Sequence, residues 1–238
     1  MAFIHSKDTV VLLGKDDVTG YFNEHTSSIE VDMHDSTVYG KSARTYVAGL
    51  IDGTVSLGGL WDGAANAIDS ILSALVGAAA SVLTIGLNGT TVGNRATLAS
   101  PLETSYEIDD SVSELIGISF EGQSDDRVET GIFLHNLTAE TATGNGTSQD
   151  NGGASSNGGV AHLHLTAVTG SSPTNTVLVE HSTNNSTWAT LVTFTALAGA
   201  TTSERKTVSG TVNRYVRARW TIGGTTPSYT FAVAFARR

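Results

Sequence analysis

Cysteine is absent from all 238 residues. That excludes disulfides, thiolate nucleophiles and cysteine-bound metals, and it is compatible with assembly in a reducing cytoplasm. Proline occurs three times and charged side chains make up 15% of the chain, which is not the composition of a helical enzyme. Long hydrophobic runs are missing too. The longest, Ala74 to Leu83, is interrupted by Gly77 and Ser81 and is too short to cross a bilayer. The start, Met1-Ala-Phe-Ile-His-Ser-Lys-Asp8, holds no apolar stretch of the signal-peptide kind, so no leader and no membrane association are expected.

Glycine, threonine and serine are plentiful instead. The 39% of apolar residues fall in short runs between turn residues, the pattern of many strands joined by tight connections. In Ser28 to Met33, Ile29, Val31 and Met33 alternate with Ser28, Glu30 and Asp32, which predicts a half-buried strand with an acidic face. Further strands are expected at Glu114–Phe120, Val128–Leu134, Val160–Thr166, Val177–Glu180, Arg214–Thr221 and Tyr229–Phe235. One helix is expected over about 62–76. Asp62 is placed to cap it, Ala64, Ile68, Ile71, Leu72 and Leu75 form its stripe, and Gly77 stops it. The fold class is therefore mainly β, with one flanking α-helix. Residues 141–159 are Gly, Ser, Asn and Thr almost throughout, the composition of a flexible loop or linker. The chain reads as a single domain over 1–238. The alternative is an acidic domain over 1–140 followed by a small separate β domain over 160–238.

Charge changes sign along the chain. Residues 1–150 carry 21 acids against 6 bases, a net of −15, whereas residues 151–238 carry 2 against 7, a net of +5. So acidic a chain is a poor nucleic-acid binder. Opposite charge on two parts of one subunit suits head-to-tail association, and acidic loops solvating one face account for it equally well. The most basic stretch is Arg214-Tyr-Val-Arg217-Ala-Arg219, whose guanidinium groups either clamp a neighbouring subunit or lie on a solvated strand face. The candidate inter-subunit contacts are Arg214, Arg217 and Arg219 with Glu30, Asp32 and Asp35.

Catalytic signatures are missing: no nucleophile elbow, phosphate-binding loop, dinucleotide fingerprint or zinc-protease motif occurs. No enzyme activity and no cofactor is expected. His162 and His164 fall on one strand face and, with His135 or His181, could bind a transition metal; ordinary polar-face histidines are the simpler reading, so no metal is assigned. The pairs Asp16-Asp17, Asp109-Asp110 and Asp125-Asp126 read as turn residues rather than a hydrolytic dyad.

Two parts of the chain resemble the major tail tube proteins of long, non-contractile-tailed bacteriophages. The first runs from Val10-Val-Leu-Leu-Gly-Lys-Asp-Asp-Val-Thr-Gly-Tyr-Phe-Asn23 through Ser36-Thr-Val-Tyr-Gly40 and Arg44-Thr-Tyr-Val-Ala-Gly-Leu50 to Gly53-Thr-Val-Ser-Leu-Gly-Gly-Leu-Trp-Asp62. The second is Val179-Glu-His-Ser-Thr-Asn-Asn-Ser-Thr-Trp-Ala-Thr-Leu191, with Arg214-Tyr-Val-Arg217 and Phe231-Ala-Val-Ala-Phe-Ala-Arg237. The resemblance implies a β-sandwich or half-barrel subunit with a flanking helix. It further implies hexameric rings stacked into a tube around a tape-measure protein, and passage of double-stranded DNA without tight binding. Such a protein belongs to the virion tail and is assembled in the host cytoplasm. Three other readings stay open. One is a carbohydrate-binding or adhesin module using Trp61, Trp188 and Trp220 as platforms. The others are a hydrolase and a neighbouring tail ring such as a terminator or distal-tail component.

Overall fold

The computed structural model describes residues 5–238; residues 1–4, the start of the stretch read for a leader, lie outside it. The strands in chain order are β1 (Val10–Leu13), β2 (Asp16–Asp17), β3 (Phe22–Asp35) and β4 (Tyr46–Leu60) before the helix α1 (Ile68–Ser73). After it come β5 (Leu83–Gly86), β6 (Arg95–Ala99), β7 (Pro101–Asp109), β8 (Gly117–Ser124) and β9 (Glu129–Glu140). The last six are β10 (Gly144–Asn145), β11 (Gln149–Asp150), β12 (Gly159–Ser182), β13 (Ala189–Thr193), β14 (Thr202–Val208) and β15 (Tyr215–Arg237). The protein is mainly β, with a curled half-barrel sheet and one small helix. No helix among the described residues is long and apolar enough to cross a membrane.

The chain divides into two compact units, neither bounded at 141–159. One comprises Met1–Gly20, Val82–Leu98 and Glu129–Arg238; the other comprises Tyr21–Ser81 and Ala99–Val128. The larger unit holds one sheet in the order β13-β12-β15-β9-β6-β5-β1-β2, with β14 also on β12 and β10 and β11 also on β15. Its spine is the antiparallel ribbon of β12 and β15, paired along nearly their whole lengths. The ribbon folds over on itself. Trp220 and Phe231 are eleven residues apart on β15, about 36 Å in a straight strand, yet their rings lie 5.7 Å apart. Leu163, Val177, Ala218, Trp220, Phe231 and Val233 accordingly share one core.

The fold-over is written in the sequence as two matching tetrads, Gly170-Ser-Ser-Pro173 and Gly224-Thr-Thr-Pro227. They face each other at the Ser171–Thr225 pair, where the ribbon's register shifts. In each, the glycine has φ near +115° (Gly170 +120°, Gly224 +111°) and the third residue is left-handed (Ser172 +47°, Thr226 +46°). A Cβ on Gly170 would meet Pro227 Cα at 2.9 Å, and one on Gly224 would meet Pro173 Cα at 2.9 Å. Bulges of this kind bend both strands at the same level. Past the bend, β15 is buried on both faces. Phe231, Val233 and Phe235 fill the sandwich core, while the small Ala232, Ala234 and Ala236 let Leu12, Ala96, Leu98 and Phe133 approach from the other side.

Two expectations need correction. The helix is Ile68–Ser73, not about 62–76. Asp62 does accept a bond from the Ala64 amide at 2.9 Å, but it caps only a turn, because Asn66 takes φ +62° and breaks the helical path. Of the expected stripe, Ile68 and Leu72 are buried. Residues 141–159 are not a free linker: β10 and β11 pair with β15, and the amides of Gly146, Asn151, Ser155 and Gly158 bond Ala218, Arg214, Val212 and Gly210. Glycine is needed there for closeness. At Gly158, with φ +74°, a Cβ would sit 1.8 Å from the Val208 carbonyl oxygen.

Gly224→Ala is expected to destabilise the larger unit by roughly 2–4 kcal/mol, since no L side chain suits that backbone and the opposing proline leaves no room. Thr226→Gly, on the same bulge, should cost far less. Urea midpoints of the two variants check this, and equal midpoints would show that the bend does not depend on Gly224.

Candidate assembly interface

The smaller unit holds a four-stranded antiparallel sheet in the order β3-β4-β8-β7. Its register sorts side chains onto two faces. Val55, Leu57, Ile118 and Phe120 share one face and are buried there. The helix contributes the buried Ile68 and Leu72, and the Tyr106 hydroxyl of β7 donates to the Asp69 carboxylate of α1.

The other face is polar and of one charge. Its rows are Glu30 opposite Asp52, Thr26 opposite Ser56 and Glu121, and Glu24 opposite Gly58, with Ser119 and Glu107 beyond. All five carboxylates are exposed. The four strands contain no lysine or arginine at all. Asp52 and Gln123 bond one another across this face, as do the Ser28 and Thr54 hydroxyls at 2.7 Å. Charge thus follows the units more sharply than the halves of the chain. The smaller unit has 15 acids against 3 bases, a net of −12, and the rest of the chain has 8 against 10, a net of +2.

Among the described residues, β3 and β7 each pair on one side only, so this sheet has two open edges. Both edges carry a bulge, at Glu103/Ser105 on β7 and at Phe22/Glu24 on β3, and the register shift at Val31/Met33 places its extra residue on β4, between Ala48 and Ile51. Glu103, on the buried face of β7, has both carboxylate oxygens buried without a hydrogen-bond partner, and burial pushes it up to about 7.

The sequence-predicted contact residues fall into separate groups. Glu30 and Asp32 lie on the acidic face of β3 by strand alternation. Asp35, at the strand end, accepts from the Thr37 amide at 2.9 Å and faces Arg44 at 4.0 Å. Each of the three arginines is already paired within the larger unit. Arg214 makes a two-pronged bond to Asp150 at 2.6 and 2.7 Å. Arg217 and Arg219 share the buried Glu180, at 2.8 and 3.2 Å, and Arg217 also lies 4.1 Å above the Trp188 ring. Charge reversal at Arg217 therefore strips a buried carboxylate of the nearer of its two partners and sets a second carboxylate against it, so it acts on folding before it acts on assembly.

No family model matches the chain, and no curated protein does. Among solved structures, a chain from the virion of a native gene transfer agent particle is similar at 13% identity and a TM-score of 0.44, covering 54% of this chain and 98% of that one. The SPP1 tail tube is similar at 12% identity and a TM-score of 0.44, covering 52% of this chain and 77% of its own. The SPP1 Dit protein, a hub adsorption apparatus of phages infecting Gram-positive hosts, is similar at 13% identity and a TM-score of 0.38, covering 97% and 99%.

Two of the three tryptophans are not open platforms of the kind a carbohydrate-binding module would use, while Trp61 is 37% exposed. Trp220 is 5% exposed and its indole N–H donates to the Ala142 carbonyl at 3.0 Å, while Trp188 is capped by Arg217. Nor do the histidines converge: among the described residues no group of three or more His, Asp or Glu is placed to hold a metal. His135 is stacked on Phe231 and bonded to Glu140, and His181 accepts from the Asn213 amide.

His162 and His164 form a hydrogen-bonded chain with Thr84 in the interior of the larger unit. The Gly14 carbonyl must accept from His164 Nδ1 at 2.7 Å, so His164 Nε2 accepts from the Thr84 hydroxyl at 2.8 Å. The Thr84 oxygen then accepts from His162 Nδ1 at 3.0 Å. Both rings are neutral Nδ1–H tautomers, and burial holds His162 well below the usual range and His164 at about 4. Unfolded, both titrate near 6.5. As pH falls from about 6.5 toward 4, the unfolded chain takes up protons that the folded one refuses, so stability is intact above 6.5 and lost below it. His164 alone should contribute a loss of roughly 3 kcal/mol by pH 4. Urea unfolding at pH 7.5, 5.5 and 4.5 measures it; His164→Gln should flatten the profile, and an unchanged profile would refute the assignment.

Proposed function

We propose that the chain is a structural subunit of a bacteriophage tail tube, which closes into rings through the open edges of its four-stranded sheet. The observation that carries this reading is a sheet with two unpaired edges and one cation-free acidic face. Because four strands alternate in direction, β3 and β7 run antiparallel. Rotating a second copy into place therefore sets β7 beside the neighbour's β3 in the antiparallel sense, and any number of copies continues one regular barrel. Closure satisfies edge backbone groups that otherwise invite uncontrolled pairing.

A barrel of six copies is wide enough for this role, and one of three is not. Twenty-four strands at a spacing of ~4.8 Å and a tilt of ~40° give a backbone diameter of about 48 Å, and side chains leave roughly 38 Å free. Three copies would leave about 14 Å by the same reckoning, less than the roughly 20 Å of a DNA duplex. With the acidic face inward, the lumen repels phosphate, so a duplex passes without sticking. Before DNA enters, the same lumen would hold a tape-measure protein. The subunit would belong to the virion tail, after assembly in the host cytoplasm, and would need no cofactor or catalytic group.

Negative-stain microscopy and sedimentation of the purified chain are expected to show rings or tubes with a central hole. A protein that stays monomeric at every concentration and salt condition would overturn the reading. The lumen assignment has its own test. Tubes of a Glu30→Lys, Asp52→Lys, Glu121→Lys variant should retain double-stranded DNA at about 0.1 M salt, whereas wild-type tubes should not. Equal retention by both would place the acidic face elsewhere.

A further inference from the structure

The four-stranded sheet has two unlike ends. At one end, β8 covers β4 only from Thr54 onward, so residues 29–35 and 46–53 of β3 and β4 run past it as a two-stranded arm. A lone two-stranded ribbon is marginally stable in water and needs a surface to pack on. One face of this arm presents Ile29, Val31, Met33 and Ile51, each 43–58% exposed. Its tip carries the fully exposed Tyr39 and the exposed cations Lys41 and Arg44. Those two are the only bases in the smaller unit apart from Arg127.

The opposite end is the turn joining β7 to β8, residues 110–116. It lies about 45 Å from the far end of the arm, counted along β4. It too is apolar and exposed, with Val112 at 109% and Leu115 at 75%, next to Ile108 at 50%. Its charges are of the other sign: Asp109, Asp110 and Glu114 are exposed, and no base lies between Pro101 and Ser124.

We infer that the arm of one copy docks on the 110–116 end of the next copy along the strand direction, Lys41 and Arg44 meeting Asp110 and Glu114 around a shared apolar contact. The two surfaces are complementary but different, so the contact is heterologous and repeats without closing, which makes a filament out of rings. A single exposed ion pair is weak, but a ring presents every copy of it at once, so small terms multiply. The inference rests on the self-assembly reading above and goes further by assigning stacking to residues other than the arginines of β15.

Charge exchange tests it. Lys41→Glu with Arg44→Glu, and separately Asp110→Lys with Glu114→Lys, should leave rings intact and raise the critical concentration for tubes roughly tenfold or more. Combining all four substitutions should restore tubes. Wild-type tubes should also weaken as salt rises from about 0.05 to 0.5 M. The stacking assignment is overturned if either double variant elongates at the wild-type concentration, or if the combined variant forms rings but no tubes. It is also overturned if the wild type forms rings that never stack. A wild-type chain that forms no rings removes the self-assembly reading itself, and the stacking with it.

Discussion

The outer backbones of β3 and β7 set the terms for the smaller unit. An antiparallel sheet of four strands leaves one row of N–H and C=O groups on each edge, and β3 is 14 residues long. Proteins that stay single blunt such edges with lysine, proline, short strands or a covering loop. Here β3 has neither lysine nor proline. Its bulge at Phe22/Glu24 tilts the edge without removing it. The arrangement makes sense when the missing neighbour is the other edge of the same sheet, because β3 and β7 then satisfy one another and no new surface is required.

The acidity of the sheet follows from the same constraint. Side chains on one face of a half-buried sheet meet solvent, and a polar face is the ordinary result. A face without any base is not ordinary, since mixed charge costs less self-repulsion. In the larger unit three arginines show the ordinary pattern, laid on carboxylates of their own unit: Arg214 on Asp150, and Arg217 and Arg219 on Glu180. Apart from Asp35, which faces Arg44 at 4.0 Å, the carboxylates of the smaller unit's sheet have no lysine or arginine on their strands, and Lys41 and Arg44 lie at the tip of the arm. The segregation fits a surface that repels phosphate while attracting a different part of another copy.

Local pattern made the fold class legible, and the alternation of Ile29, Val31 and Met33 with Glu30 and Asp32 located the acidic face of β3, although the three apolar side chains, expected to be buried, are 43–58% exposed. Glu107 and Glu121 join that face only through the register of β7 and β8, which no local pattern carries. The longest strands were legible only in pieces. Val160–Thr166 with Val177–Glu180, and Arg214–Thr221 with Tyr229–Phe235, read as separate strands because Gly-Ser-Ser-Pro and Gly-Thr-Thr-Pro have the chemistry of turns. In the fold they are bulged corners inside continuous strands, and what shows this is their matching each other across the ribbon. The stretch 141–159 misleads for a related reason: glycine marks flexibility and close approach alike, and only the carbonyl beside Gly158 tells which applies. Arg217 and Arg219 look available in the sequence because Glu180, their partner, is 37 and 39 residues away.

The two assembly contacts should answer oppositely to salt, and this links them. In the proposed ring the acidic sheets would lie side by side, so like charges would oppose closure and screening would relieve the repulsion. Stacking brings Lys41 and Arg44 to Asp110 and Glu114, so screening weakens it. Low salt then favours elongation of rings that already exist over the formation of new ones. On this reading the absence of cations from the sheet and their placement at the arm's tip serve one purpose: a slow first ring and rapid addition thereafter.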